Sequence, residues 1–174
     1  MLAAGRKAFD ALSNVCVWVK NTGGLGSFYR SAHEFVYVFK NGNGRHQNNI
    51  MLGVHGRYRT NVWTYPAIRG LAQQQGDEGN LLAIHPTVKP VALVSDAILD
   101  VTSRGNLVLD SFLGSGTTVI AAERSGRVCY GVELEPHYVD AAVRRWQRHT
   151  GDFAIHAESR KRFDEIAVRE DHNA

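Results

Sequence analysis

Residues Asn106 to Glu133 read NLVLDSFLGSGTTVIAAERSGRVCYGVE and combine two apolar runs with a glycine-rich turn between them. The apolar run Leu107–Leu109 is typical of a strand buried on both faces. A glycine-containing loop follows, then a helical pattern over 117–124 with a Ser-Gly stop. Residues 128–132 predict a second buried strand that ends at Glu133. Strand, glycine turn, helix, strand and acid in this order predict half of a nucleotide-binding α/β fold.

The loop between the first strand and the helix, residues 111–116, is called the glycine loop below. Gly114 and Gly116 lack a Cβ, so the backbone can turn sharply and a ligand can approach it closely. The helix that begins near Thr117 directs free N–H groups towards the same place. Glu133 follows Asp110 by 23 residues, close to the roughly 20-residue spacing of a ribose-binding acid. The pattern therefore predicts a site for a ligand that carries a ribose.

The loop differs from a dinucleotide-binding sequence in two ways. Val119 stands where G-x-G-x-x-G has its third glycine. Asp110, just before the turn, would repel a pyrophosphate and suits a cationic ligand. S-adenosylmethionine (SAM) carries a sulfonium and an ammonium and no phosphate, so the residues favour SAM. A dinucleotide site and a purely structural turn remain as alternatives.

Two sequence blocks carry a family resemblance. Asp110–Thr118 resembles the SAM-binding motif of the bacterial and phage DNA amino-methyltransferases, which methylate adenine N6 or cytosine N4. His85–Pro90 resembles the second cofactor motif of that family and precedes the first block in the expected order; it is called the upstream block below. Ser111 stands where the family usually has proline. The resemblance extends over residues 15–151 and implies a Rossmann-like, three-layer α/β methyltransferase fold, incomplete here, with an inserted irregular recognition segment.

The resemblance also implies which residues contact the cofactor. The glycine loop and Asp110 would surround the methionine and sulfonium end of SAM, Glu133 would hold the ribose, and the upstream block would close the pocket. The implied cofactor-binding residues are Thr87, Lys89, Asp110, Phe112, Gly114, Ser115, Gly116, Thr117 and Glu133.

Basic residues are concentrated in one part of the chain. From Lys20 to Arg69 there are seven basic residues against one acid, Glu34, whereas the net charge of the whole chain is only +3. Such a segment would attract a phosphate backbone, although a solvated basic loop region is the plain alternative. Arginine and asparagine can read base edges, and double-stranded DNA is the expected partner. The candidate DNA-binding residues are Arg30, Arg45, Arg57, Arg59 and Asn61.

The catalytic loop of the resembling family is absent from this sequence. That family holds the target amine with an Asp/Asn/Ser-Pro-Pro-aromatic loop, and the 174 residues contain no Pro-Pro. We therefore assign no catalytic residue and expect the C-terminal part of a methyltransferase, able to bind SAM and DNA but inactive alone. A complementing chain that carries the loop could restore activity, and an incomplete sheet with an exposed edge would favour a homodimer. A non-catalytic DNA-binding relic and a dinucleotide-binding oxidoreductase domain are the rival interpretations.

Length and composition predict a single domain over residues 1–174. It divides into a recognition segment at 41–84, a SAM-binding core at 85–157 and a frayed tail at 158–174, and residues 70–79 are typical of a mobile loop. Two cysteines within apolar runs indicate a reducing, cytoplasmic compartment. The sequence contains no run of 18 apolar residues, so no membrane span is expected. The histidines lack the paired spacing of a metal site.

The remaining patterns predict the other helices and strands. Residues 1–13 indicate a helix, 15–19 and 34–40 indicate strands, and 153–156 indicate a last short strand. One helix is expected after Pro90, and another begins at Pro136. In the second of these, the expected buried face is Val139, Ala142, Val143 and Trp146, and Arg144, Arg145 and Arg148 are expected outside it.

Overall fold

The computed structural model describes residues 1–54, 56, 58–68 and 88–170, with side chains described as far as 167. Helices and strands alternate between residues 62 and 150. In chain order they are α1 Leu2–Ala8, β1 Ala11–Val19, β2 His33–Lys40, β3 Val62–Thr64, α2 Val91–Val101, β4 Leu107–Asp110, α3 Thr117–Ser125, β5 Val128–Gly131, α4 Pro136–Thr150 and α5 Phe163–Glu170. No helix among the described residues is long and apolar enough to cross a membrane.

The first sheet has three strands in the order β2-β1-β3. Strand β1 pairs antiparallel with β2 from Ala11↔Lys40 to Val19↔His33, and parallel with β3 around Trp18↔Trp63. Cys16, Trp18 and Trp63 are buried together with a leucine of α2. The indole N–H of Trp18 donates to the carbonyl of Tyr65 at 2.8 Å, so this large side chain is buried with its polar group satisfied.

The second sheet is the parallel pair β4–β5, joined by α3. Its register runs from Leu107↔Val128 to Asp110↔Gly131. Helix α3 ends at Gly126, which adopts the left-handed conformation (φ 70°) that residues with a Cβ rarely adopt. The loop, helix and strands predicted for residues 106–133 are therefore present, with the second strand ending one residue earlier than expected.

Within the described part of the chain, only one face of the β4–β5 pair is packed. Ile120, Ala121 and Ala122 of α3 are fully buried, and Val108 and Cys129 pack against them. The opposite face, called the bare face below, consists of side chains that are 47 to 64% exposed: Leu107, Leu109, Val128 and Tyr130. The expectation that these strands are buried on both faces is wrong for the described residues, because α2, α3 and α4 all belong to the covered side.

Helix α2 connects the two sheets. Val91 and Ile98 pack in the core beneath β4–β5, whereas Leu93 packs in the core beneath the first sheet. Val94 contacts both cores. The two sheets are thus held by adjacent sides of one helix, with Val94 at the boundary between them.

Three of the element predictions need correction. The helix expected over 1–13 ends at Ala8 and β1 begins at Ala11, because the ladder with β2 and the stacking of Phe9 on Phe39 outweigh local helical preference. The expected strand at 153–156 is a single bridge between Ile155 and Arg162. The tail is not wholly frayed, since α5 lies within it.

The one-sided packing predicts unequal effects of two similar truncations. Ile120→Ala should lower the free energy of unfolding by about 2–5 kcal/mol, because it leaves a cavity in a closed core. Leu109→Ala on the bare face should lower it by less than about 1 kcal/mol. Urea denaturation followed by circular dichroism measures both. Equal losses would mean that the bare face is covered in solution.

Candidate functional site

The carboxylate of Asp110 organises the start of the glycine loop. One oxygen accepts the N–H of Phe112 at 3.0 Å, and the other accepts the hydroxyl of Thr118 at 2.5 Å. These bonds connect the end of β4 to the first turn of α3, where N–H groups lack helical partners. Asp110 is therefore a structural part of the turn as well as a negative charge at its mouth.

Gly116 allows α4 to pack directly against the loop. Its backbone is left-handed (φ 79°, ψ 22°) at the N-cap of α3. A Cβ placed there would lie 2.7 Å from the Cβ of Ala142 on α4. Both the conformation and the contact exclude a side chain at this position.

Glu133 closes the loop from the opposite strand. Its Oε2 accepts the N–H of Gly114 at 2.6 Å, and its Oε1 accepts the N–H groups of Leu134 and Glu135 at 2.9 and 3.0 Å. The loop is held further by the N–H of Leu113, which donates to the carbonyl of Val132 at 3.0 Å. The predicted ribose-binding acid is thus already joined to the loop that it would serve.

The site fits a cationic, ribose-bearing ligand by its carboxylate acceptors and its exposed apolar side chains. Asp110 and Glu133 place two carboxylates around the loop at the carboxyl ends of two parallel strands, where open α/β sheets bind ligands. Phe112 is 92% exposed and Leu134 is 97% exposed, so two large apolar side chains stand beside the carboxylates with almost no packing. A pyrophosphate would meet both negative charges, whereas a sulfonium or ammonium group would be attracted to them.

Ser115 and Thr117 face the protein interior. Both are buried, and Arg145 of α4 donates from Nη1 to the carbonyl of Ser115 at 3.2 Å and to Oγ1 of Thr117 at 3.1 Å. The prediction that Arg145 lies outside the buried face of α4 is wrong, because its side chain is only 1% exposed. Helical spacing could have found it, since Arg145 lies three residues after the buried Ala142.

The upstream block reaches the loop through its backbone. The hydroxyl of Thr117 lies 3.3 Å from the carbonyl oxygen of Lys89 and can donate to it. The ammonium of Lys89 pairs instead with Glu34 at 3.2 Å, beside Lys20, which pairs with the same carboxylate. Burial raises the pKa of Glu34, but the bonds and charges of the two lysines outweigh burial and hold that pKa below its usual value. Thr87 lies outside the described residues, so its role stays a prediction.

The candidate DNA-binding residues have different surroundings. Arg30 donates to the carbonyls of Gly24 and Gly23 at 2.8 and 3.3 Å, so it braces the loop between β1 and β2. The amide of Asn61 donates to the carbonyl of Val15 at 3.0 Å. Arg45 is exposed, and Arg57 lies outside the described residues. The structure does not bring these residues together into one described surface.

Arg59 anchors the described part of the recognition segment to α2. Its guanidinium pairs with Asp100 at 2.8 Å and with Asp96 at 3.6 Å, and it lies 4.9 Å from the ring centre of Trp63. Burial raises the pKa of Asp100 although the charge of Arg59 lowers it. Asn49 of the same segment donates to two carbonyls at the C-terminus of α2, both at 2.8 Å. Part of the polar character that suggested base readout therefore holds this segment on the fold.

Comparison with known proteins places this geometry in context. The family model described as "DNA methylase", of the N6/N4 methyltransferase type, matches residues 5–144. DNA adenine methyltransferase YhdJ of Escherichia coli (strain K12) is 37% identical over 91 residues, 52% of this chain and 29% of that protein. Type II methyltransferase M2.MboI of Moraxella bovis is 34% identical over 103 residues, 59% of this chain and 35% of that protein.

A solved structure of a SAM complex is also similar to this chain in its fold. The crystal structure of the M1.HpyAVI–SAM complex superposes with a TM-score of 0.59 at 27% identity, over 78% of this chain and 62% of that one. The present chain therefore spans about a third of the length of the two curated relatives and less than two thirds of the solved one.

Alanine substitutions at Gly116 and Gly42 distinguish the cost of conformational strain from the cost of steric overlap. Both have nearly the same positive φ, 79° and 77°, but nothing lies within 4 Å of a Cβ built on Gly42. Gly42→Ala should destabilise the chain by about 1–2 kcal/mol, from strain alone. Gly116→Ala should cost about 2–5 kcal/mol, because overlap with Ala142 adds to the strain. Thermal and urea unfolding compare the two; equal effects would refute the close packing of α4 on the loop.

Proposed function

The chain belongs to the DNA methylase family, and on that premise we propose that it forms the SAM- and DNA-binding part of a methyltransferase that modifies adenine N6 or cytosine N4. The cofactor is SAM, which M1.HpyAVI carries in its complex. The fold is the Rossmann-like methyltransferase fold, and the described part of this chain supplies its glycine loop with the strands and helices around it.

The observation that carries the proposal is the pair of carboxylates around the glycine loop. Asp110 is the last residue of β4, Glu133 follows the adjacent parallel strand β5 by two residues, and each is fixed by bonds to the loop or its helix. A ligand bound there meets negative charge on both sides of the loop. This charge favours SAM over a dinucleotide and weakens the oxidoreductase alternative.

Each residue of the site has a role that its geometry permits. Glu133 accepts the amide of Gly114 through Oε2 and the amides of Leu134 and Glu135 through Oε1, and its place beside the loop, just after β5, is the basis for assigning it the ribose. Asp110 attracts the cationic end, and Phe112 supplies an exposed ring for apolar contact. SAM, when bound, supplies the electrophilic methyl group. The protein residues orient the cofactor, and Thr87 and Lys89 are proposed to complete the pocket from the upstream block.

Methyl transfer also needs a group that holds the flipped base and its amine. The sequence given contains no Pro-Pro loop of the kind expected for that task. We propose that polypeptide outside these 174 residues supplies it, and a partner chain that carries the loop is one such source. The bare face supports this proposal, because parallel sheets in α/β proteins are covered on both faces.

The two cysteines are free thiols, in keeping with the proposed cytoplasmic location.

Titration calorimetry with SAM, and with NAD as the control ligand, tests the cofactor assignment. The chain should bind SAM and not NAD. Glu133→Ala should weaken SAM by about 1.5–3 kcal/mol, the scale of a hydrogen bond to a charged group. Glu158→Ala, an exposed acid outside the site, should leave the affinity unchanged. An unaltered affinity in the Glu133 variant would refute its assignment, and methyl transfer to unmethylated DNA by these 174 residues alone would refute the need for a catalytic loop outside them.

DNA binding is tested by its dependence on salt. The logarithm of the affinity for duplex DNA should fall linearly with the logarithm of salt concentration. Arg45→Ala should reduce the slope by about one unit if the side chain contacts a phosphate, whereas Arg148→Ala on α4 should not change it. A relic module would show this DNA binding without any affinity for SAM. Absence of DNA binding would leave the cofactor assignment intact and remove the proposed DNA surface.

A further inference from the structure

Arg145 is an unusual residue to find beneath a ligand-binding loop. Its side chain is among the largest that the described structure buries completely, and an arginine keeps its charge when it is buried. Removing a guanidinium from water is unfavourable unless its hydrogen bonds are replaced by others. At least two of those bonds go to the glycine loop and its helix rather than to neighbours on α4.

The hydrogen bonds of Arg145 continue through the hydroxyl of Thr117 to the backbone of the upstream block. Its Nη1 donates to Oγ1 of Thr117, so the hydroxyl acts as an acceptor and keeps its own proton for another bond. That proton can go to the carbonyl of Lys89, 3.3 Å away. The same guanidinium nitrogen also holds the carbonyl of Ser115. One buried cation thus contacts α3 and the glycine loop directly and reaches the upstream block through Thr117.

Helix α4 contacts the loop at two successive positions on one face. Ala142 lies against Gly116, where a Cβ would be 2.7 Å away, and Arg145 follows three residues later. The first contact fixes how closely the loop approaches the helix. The second fixes the direction of the Ser115 carbonyl and therefore the orientation of the peptide group that joins Ser115 to Gly116.

We propose that Arg145 is a positioning residue, which sets the glycine-loop conformation from behind and couples that loop to the upstream block through Thr117. It acts through Ser115 and Thr117 and does not itself touch the ligand. The inference rests on the proposed function only where SAM affinity is the readout, because the loop conformation can be measured without any ligand.

Hydrogen exchange of the loop amides provides the ligand-free test. The N–H of Gly116 bonds to the carbonyl of Leu113, and the N–H of Ile120 bonds to the carbonyl of Gly116. In Arg145→Met these two amides should exchange about tenfold faster than in the parent, while amides of β1 should be unchanged. Arg148→Met, an equal change at an exposed position of the same helix, should leave all of them unchanged.

Two further variants separate positioning from mere core stability. Arg145→Lys should restore part of the protection, because an ammonium keeps the charge and can reach an acceptor but lacks the planar fork of arginine. Thr117→Val keeps the shape of the side chain and removes the hydroxyl, so it should speed exchange at the same amides. Combined with Arg145→Met, it should add less than its separate effect, since both changes break the same path of hydrogen bonds.

The outcomes are distinguishable. Faster loop exchange in Arg145→Met and Thr117→Val, with SAM affinity lowered about tenfold in both, supports the proposal. Loop exchange equal to that of Arg148→Met overturns it, even if the melting temperature falls. If Arg145→Met does not fold, Thr117→Val decides alone by the same criterion. If the parent chain does not bind SAM, the proposed function fails while the exchange data still decide the role of Arg145.

Discussion

The packing of α2 against both sheets is the constraint on which the described structure depends. Its two sides enter two different cores, one built around Trp18 and Trp63 and the other around Ile120. The segment between β2 and α2 adds polar anchors to the same helix, through Asn49 at its C-terminus and Arg59 at its acidic residues. The position of β4–β5, and with it the glycine loop, follows from where this helix lies.

Sequence reasoning succeeded where the structure is determined locally. The glycine loop and the helix after it depend on residues that need positive φ or a free helix N-terminus, and these signals lie within a few residues of each other. The end of α3 at Gly126 is of this kind. The grouping of Asp110 with Glu133 followed from their 23-residue spacing, and in the structure the parallel pairing of β4 with β5 brings their carboxyl ends together.

Reasoning from the sequence failed where the answer depends on contacts between distant segments. The β1–β2 ladder starts earlier than the local pattern indicated, because pairing of Ala11 with Lys40 is set by a strand about thirty residues away. The burial of Arg145 was missed because a charged residue on a helix is usually solvated. Likewise, an apolar run such as Leu107–Leu109 does not reveal whether helices cover one face of its sheet or both.

The two carboxylates of the site have a structural role and, in the proposed function, a ligand-facing role as well. Asp110 joins the loop to α3 through Phe112 and Thr118, and Glu133 joins it to β5 through Gly114. Removing either carboxylate would therefore loosen the loop as well as delete an acceptor, so the loss of ligand affinity measures both effects together. Arg145 holds the same loop from the buried side and, in our proposal, makes no contact with the ligand. The loop is thus held between two carboxylates at its mouth and one buried cation, and in our proposal a change at Arg145 alters the loop geometry without altering either carboxylate.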